Sequence, residues 1–151
     1  MRTQMICRWW LIFLLVILGY IIMWNFGIWG MLYKFDVTKL SFIMLVLFSG
    51  FTIYIGMLTY RVYGGYNMNV KSNAAIVEWF GLRFPVLGIL GTAIGITYMI
   101  YNADFSKDIG DIIPYVLNGL GTALFTTITG IVCCYLIELQ LFNLSREYND
   151  G

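Results

Sequence analysis

Threonine is the residue type that could do chemistry in this chain. Thr92 lies in the stretch Phe84-Pro85-Val86-Leu87-Gly88-Ile89-Leu90-Gly91-Thr92-Ala93-Ile94-Gly95. Thr122, Thr126, Thr127 and Thr129 lie in Gly119-Leu120-Gly121-Thr122-Ala123-Leu124-Phe125-Thr126-Thr127-Ile128-Thr129-Gly130. The other residues of both stretches are apolar or small. At helical spacing Gly88, Thr92, Gly95 and Met99 share a face, with Gly91 and Gly95 as a small-xxx-small pair beside it. In the later stretch Ala123, Thr127, Gly130 and Cys134 share one face, and Thr122, Thr126, Thr129 and Cys133 its neighbour. Small residues let helix backbones approach closely in lipid. A helical threonine can also bond back to the carbonyl four residues earlier, so its hydroxyl need not meet lipid bare. The pattern therefore allows two readings: tight packing with self-satisfied hydroxyls, or walls that line something polar.

The missing residue types narrow the chemistry. There is no histidine, and no Asp, Glu, Lys or Arg within either stretch. Intramembrane ionisable groups are what proton relays use, and threonine does not titrate in the physiological range. A proton path along these faces therefore needs a titrating group from another chain. Glu138 is the nearest acid, at the end of the last apolar run. It reads either as a participant or as a solvated helix-end acid. Cys133 and Cys134 are adjacent and Cys7 is remote, so no disulfide framework follows. No nucleophile–base pair and no metal-ligand set is visible, which predicts neither an enzyme nor a cofactor or metal site. Nine basic residues nearly balance eight acidic ones, so nothing points to a nucleic-acid partner.

The elements that must position these threonines are membrane helices. The chain is 60% hydrophobic and 11% charged, against roughly 25% charged residues in a soluble domain. Four uncharged runs stand out: residues 9–33, 40–60, 84–103 and 112–137. A bilayer core about 30 Å thick needs about 20 apolar helical residues, and all four reach that length. Arg2 and Arg8 before the first run imitate a signal peptide. The run is too long for one and has no A-x-A-like cleavage site, so it reads as a retained span. The fold class expected is an all-α integral membrane protein with four transmembrane helices in one membrane domain, residues 1–151.

Basic residues orient the spans. With the N-terminus inside, Arg2, Arg8, Arg61, Lys71, Arg83 and Arg146 are cytoplasmic, and Lys34, Lys39 and Lys107 are outside. The excess lies on the side that the positive-inside rule requires, and both termini are then cytoplasmic. The loop with Asp104, Asp108 and Asp111 faces outward. Trp9 and Trp10, Trp29 and Tyr33, and Tyr60, Tyr63 and Tyr66 fall where interfacial aromatics anchor spans. Pro85 and Pro114 sit where helix three and helix four should begin. The longest connector, 61–83, is interrupted by Gly64-Gly65. Within it, Ser72 or Asn73 could cap a short helix whose Ala75, Ile76, Trp79 and Phe80 share a face suited to the inner leaflet. A plain connector is the other reading.

On these residues the chain resembles the MotA/TolQ/ExbB proton-channel family. Phe84 to Thr92 resembles that family's Pro-x-x-Gly-(Leu/Ile)-x-Gly-Thr stretch, and Ala123 to Gly130 its Ala-Leu-x-x-Thr-x-x-Gly stretch. The resemblance covers about residues 82–140. It implies a homopentamer in the bacterial inner membrane, multi-pass, around two copies of a single-span partner that supplies an intramembrane Asp. Ion flow past that Asp would drive a membrane motor of stator type. The resemblance assigns Thr92 and Thr127 to the pore near the partner Asp, and Gly88, Gly91 and Gly130 to close packing. Pro85 matches the family proline at the cytoplasmic start of the third span. Together with the helical faces, it gives a pore-lining set of Thr92, Thr127, Thr126 and Thr122 and a packing set of Gly88, Gly91, Gly95, Ala123 and Gly130.

There are departures from the family pattern. Where TolQ- and ExbB-like members often carry a glutamate, this chain has Thr122, which removes the one titratable pore group the larger chain might supply. The connector 61–83 replaces the large cytoplasmic domain of flagellar-type members, so output should pass through the partner. Two further readings use the same faces: a passive tetraspan scaffold or assembly protein, and a holin-like pore that permeabilises membranes alone. Hydroxyl oxygens would suit sodium as well as a proton-driven system.

Overall fold

The computed structural model describes residues 2–65, 70–102 and 109–149. All of the regular structure among them is helical: α1 (Arg2–Asn25), α2 (Ile28–Phe35), α3 (Leu40–Tyr63), α4 (Val70–Gly81), α5 (Phe84–Asn102) and α6 (Ile109–Asn149). Four stretches are long and apolar enough to cross a membrane: Thr3–Asn25, Leu40–Tyr63, Val70–Asn102 and Gly110–Arg146. Tyr66, Ala103, Asp104, Lys107 and Asp108, which entered the topology argument, lie outside the described residues.

The first uncharged run is not one helix. α1 ends at Asn25, and Gly27 takes φ 66°, a left-handed conformation that glycine adopts without the Cβ clash. The Gly27 amide bonds the Trp24 carbonyl at 3.1 Å, and its own carbonyl accepts from Met31 at 3.2 Å as α2 begins. The turn into α3 is held by Asp36, which is fully buried. Its carboxylate accepts from the Thr38 amide and hydroxyl at 3.1 and 2.7 Å, and from the Ser41 amide at 2.8 Å. This satisfies donors at the start of α3 that have no partner inside the helix.

α5 and α6 make the most extensive helix contact of the molecule. They run antiparallel: Gly81 faces Ile137, Gly88 faces Thr126 and Thr127, and Gly95 faces Gly119 and Ala123. α4 continues this line. Val70, Val77 and Gly81 are buried, and Val70 and Ala74 cluster with Leu58 and Val62 of α3 and Leu144 of α6. The connector therefore contains a helix that packs along α6, whereas its sequence suggests one resting on a leaflet. Ser72 and Asn73 lie inside that helix and do not cap it. The residues expected to suit the inner leaflet, Ala75, Ile76, Trp79 and Phe80, are exposed.

The last helix also differs from its expected limits. It begins at Ile109, so Pro114 lies inside it and does not start it. It runs on to Asn149 without a break, 41 residues in all. At 1.5 Å per residue that is about 60 Å, roughly twice the hydrocarbon thickness of a bilayer. α3 and α1 cover one side of α6. The core holds Met44, Phe48 and Ile55 of α3, Val77 of α4, Phe84 of α5, and Cys133, Cys134 and Ile137 of α6.

Candidate functional site: a threonine pair between two small-residue helices

The α5–α6 contact is close because its facing positions lack side chains. A Cβ on Gly95 would lie 2.6 Å from the Gly119 carbonyl oxygen, and one on Gly130 would lie 2.6 Å from that of Phe84. At Gly88 a Cβ would meet the Thr126 carbonyl oxygen at 3.0 Å, and at Gly91 the Thr126 side chain at 2.5 Å. Ala123 is also buried in this contact, 3.0 Å through its nitrogen from that same Gly95 position. The five packing residues expected from the sequence therefore stand together. Pro85 is the second residue of α5: in a first turn, the missing N–H leaves no helical bond unmade.

This approach brings Thr92 and Thr127 together. Their hydroxyl oxygens lie 2.5 Å apart. The Thr92 hydroxyl also lies 3.1 Å from its own-helix acceptor, the Gly88 carbonyl, and 3.1 Å from the Ala123 carbonyl across the interface. Two hydroxyl protons are thus set among two hydroxyl oxygens and two carbonyls. If Thr92 donates to a carbonyl, Thr127 donates to Thr92, and the Thr127 oxygen keeps lone pairs free. Both residues are partly buried. Their neighbours one turn away, Ile89 and Ile96 on α5 and Leu124 and Ile131 on α6, are exposed. The pair therefore sits at the edge of the interface, in an otherwise apolar strip.

Thr122 and Thr126 differ. Both are fully buried in the protomer. Thr126 donates to the Thr122 carbonyl at 2.7 Å. Thr122 lies against the loop between α2 and α3: its hydroxyl donates to the Phe35 carbonyl at 2.7 Å and accepts from the Val37 amide at 3.0 Å. Gly121 makes room there, since a Cβ would stand 2.8 Å from Phe35 Cβ. Thr122 and Thr126 are expected from the sequence to line a pore together with Thr92 and Thr127; within the protomer their hydroxyls are taken up by these contacts. Neighbouring helical faces differ by about 100° per residue, and that rotation carries Thr122 and Thr126 into contacts with the loop and α5.

Glu138 is exposed and lies 3.7 Å from the Cys134 sulfur. It is eleven residues beyond Thr127, about 16 Å along the axis, too far for direct contact with the threonine pair. It also does not end its helix, which continues to Asn149. No group of three or more metal-ligating side chains occurs among the described residues.

Sequence reasoning missed the Thr122 clasp and the Asp36 turn that shapes it. The Asp36-x-Thr38 pattern just before an apolar run was a usable helix-start signal. That Phe35 and Val37 would reach Thr122, more than eighty residues away, was not encoded locally. Gln140 and Asn143 were also missed. Both are buried on α6, where Gln140 donates to the Thr52 hydroxyl and Asn143 to the Met5 carbonyl, each at 3.2 Å.

Comparison with known proteins adds one match. The MotA/TolQ/ExbB proton channel family fits residues 65–150, more than half of the chain and the whole of the α5–α6 pair. No curated protein and no solved structure matches. With its four membrane-length helices and its close-packed threonine-bearing pair, this multi-pass membrane protein belongs to the MotA/TolQ/ExbB proton channel family.

Proposed function

We propose that this chain is the pore-forming, stator-type subunit of an ion-driven membrane motor. It assembles as a homopentamer in the bacterial inner membrane, with both termini cytoplasmic. The pentamer surrounds two copies of a single-span partner, which supplies a membrane-embedded Asp. Thr92 and Thr127 line the ion path beside that Asp. Thr122 and Thr126 hold the wall in place and do not line the path.

One observation carries this reading. The chain offers a hydroxyl pair with spare lone pairs at the edge of a close-packed interface of small residues, and no Asp, Glu, Lys, Arg or His lies in the middle of that helix pair. Hydroxyls can orient and solvate a titrating group, but they cannot themselves hold the charge. The site is therefore half of a device, and a carboxylate from elsewhere completes it. The asymmetry of basic residues supports the inward placement of the termini. The short α4 in place of a large domain supports output through the partner.

The test is proton uptake by vesicles that hold the chain with its single-span partner. Thr127→Val keeps the shape and removes the hydroxyl. Uptake should fall about tenfold, the equivalent of roughly 1.4 kcal/mol in the barrier, while the complex keeps its size on gel filtration. Unchanged uptake from an intact complex would remove Thr127 from the path.

A second reading, a passive scaffold, draws on the hydroxyls' being satisfied within the protomer. It predicts no conductance with any partner, and threonine substitutions that alter assembly alone. Vesicle leakage caused by the chain without a partner would favour a holin-like pore instead.

A further inference from the structure

A groove of about 320 Å³ lies between the first turns of α1 and the last turns of α6. Leu11 and Ile12 line it from α1, and Leu139 and Phe142 from α6. Arg8 and Arg146 also line it, and no acid is among its described lining residues. The two helices are pinned beside it. The buried Asn143 amide donates to the Met5 carbonyl at 3.2 Å; because α1 and α6 run antiparallel, Arg8 lies one turn to one side of that bond and Arg146 one turn to the other, about 9 Å apart along the axis. That contact brings two arginines from remote parts of the sequence to the lining of one mostly apolar groove.

We infer that this groove binds an anionic phospholipid in the leaflet that meets the start of α1. Its phosphate would lie between Arg8 and Arg146, and an acyl chain along Leu11, Ile12, Leu139 and Phe142. A guanidinium fork matches phosphate oxygens in pairs. Basic side chains beside a membrane span draw anionic lipid, and Trp10, two residues from Arg8 and exposed, suits the headgroup level. The apolar lining gives the site a use for a lipid tail that a free anion does not have. The inference does not depend on the chain's conducting ions.

The experiment uses the full chain in nanodiscs of mixed phosphatidylglycerol and phosphatidylcholine, with retained lipids read by native mass spectrometry. The wild type should keep phosphatidylglycerol preferentially. Arg8→Gln with Arg146→Gln should lower that retention roughly tenfold, on the scale of two basic membrane contacts, with phosphatidylcholine unchanged. Arg8→Lys with Arg146→Lys should restore most of it. Arg61→Gln, in a separate groove between α1 and α3, should leave it unaltered. If the double variant misfolds by circular dichroism, the single Gln variants should each give an intermediate loss. Equal retention in wild type and variants would overturn the proposal. So would full displacement by inorganic phosphate, which marks an anion-only site. A change of oligomer size with lipid retention untouched would assign the groove to a contact between copies, and would also overturn it.

Discussion

The helix pair α1–α3 and the helix pair α5–α6 both carry glycines, and they use them in opposite ways. Gly19 on α1 and Gly50 on α3 have nothing within 4 Å of where a Cβ would be. Only Gly56 receives a neighbour, the ring of Trp9, which packs into the space against α3. The rest of that contact is made by large or polar side chains, such as the Tyr20 hydroxyl with the Ser49 hydroxyl at 2.8 Å. In α5–α6 the glycines meet backbone: Gly95 against Gly119, Gly130 against Phe84, Gly88 against Thr126 and Thr127. A side chain can move aside at modest cost, and a backbone carbonyl inside a helix cannot. The first pair is an adaptable wall of apolar side chains. The second is a fixed one, and fixity is what a hydroxyl pair held 2.5 Å apart requires.

That contrast can be broken most directly at Gly130. Gly130→Val should separate α5 from α6 and cost about 3 kcal/mol or more, the upper range for overpacking a filled interface. Thermal unfolding in detergent would show it, and wild-type stability would mean that the interface is not fixed. A smaller effect is expected at the clasp. Thr122→Val leaves the part-buried Phe35 carbonyl without its donor and the Val37 amide without its acceptor, at a cost of about 1 kcal/mol. Hydrogen exchange at the Val37 amide should then rise, and Thr122→Ser should restore protection. The smallest change belongs to the first pair. Gly50→Ala fills open space on an exposed helix face and should stabilise by up to about 1 kcal/mol through helix propensity. A loss of stability there would show that α3 is covered at that point in the assembled protein.

Much of this was open to reading from residue types, because lipid imposes simple rules. Four long uncharged runs had to be helices, since a backbone in hydrocarbon must satisfy its own hydrogen bonds. The faces carrying Gly88, Gly91, Gly95, Ala123 and Gly130 followed from helical periodicity, as did the adjacency of Thr127 to Ala123. Less was legible where local and distant terms compete. Gly27 could have been read as a stop in the first run, but an uncharged segment of that length masks the signal. Ser72 and Asn73 are good helix caps in isolation. The packing of Val70 and Ala74 against α3 and α6 outweighs them and extends the helix upstream. Pro114 was read as a start, yet the helix accommodates it five residues in.

Residue types and their order are enough to give the class of the molecule, its four apolar spans, its lack of an intramembrane charge, and the family to which its later half belongs. Each of these depends on composition or on spacing along a single helix. Which threonines meet depends on how α5 and α6 pack. Thr126 and Thr127 are adjacent in the chain and chemically identical. The about 100° turn between them sends one into a fully buried bond with its own helix and the other against Thr92. Which rotation of α6 is adopted depends on where Gly95, Gly119 and Gly130 let two backbones touch. That is a property of two surfaces together, and no single stretch of residues contains it.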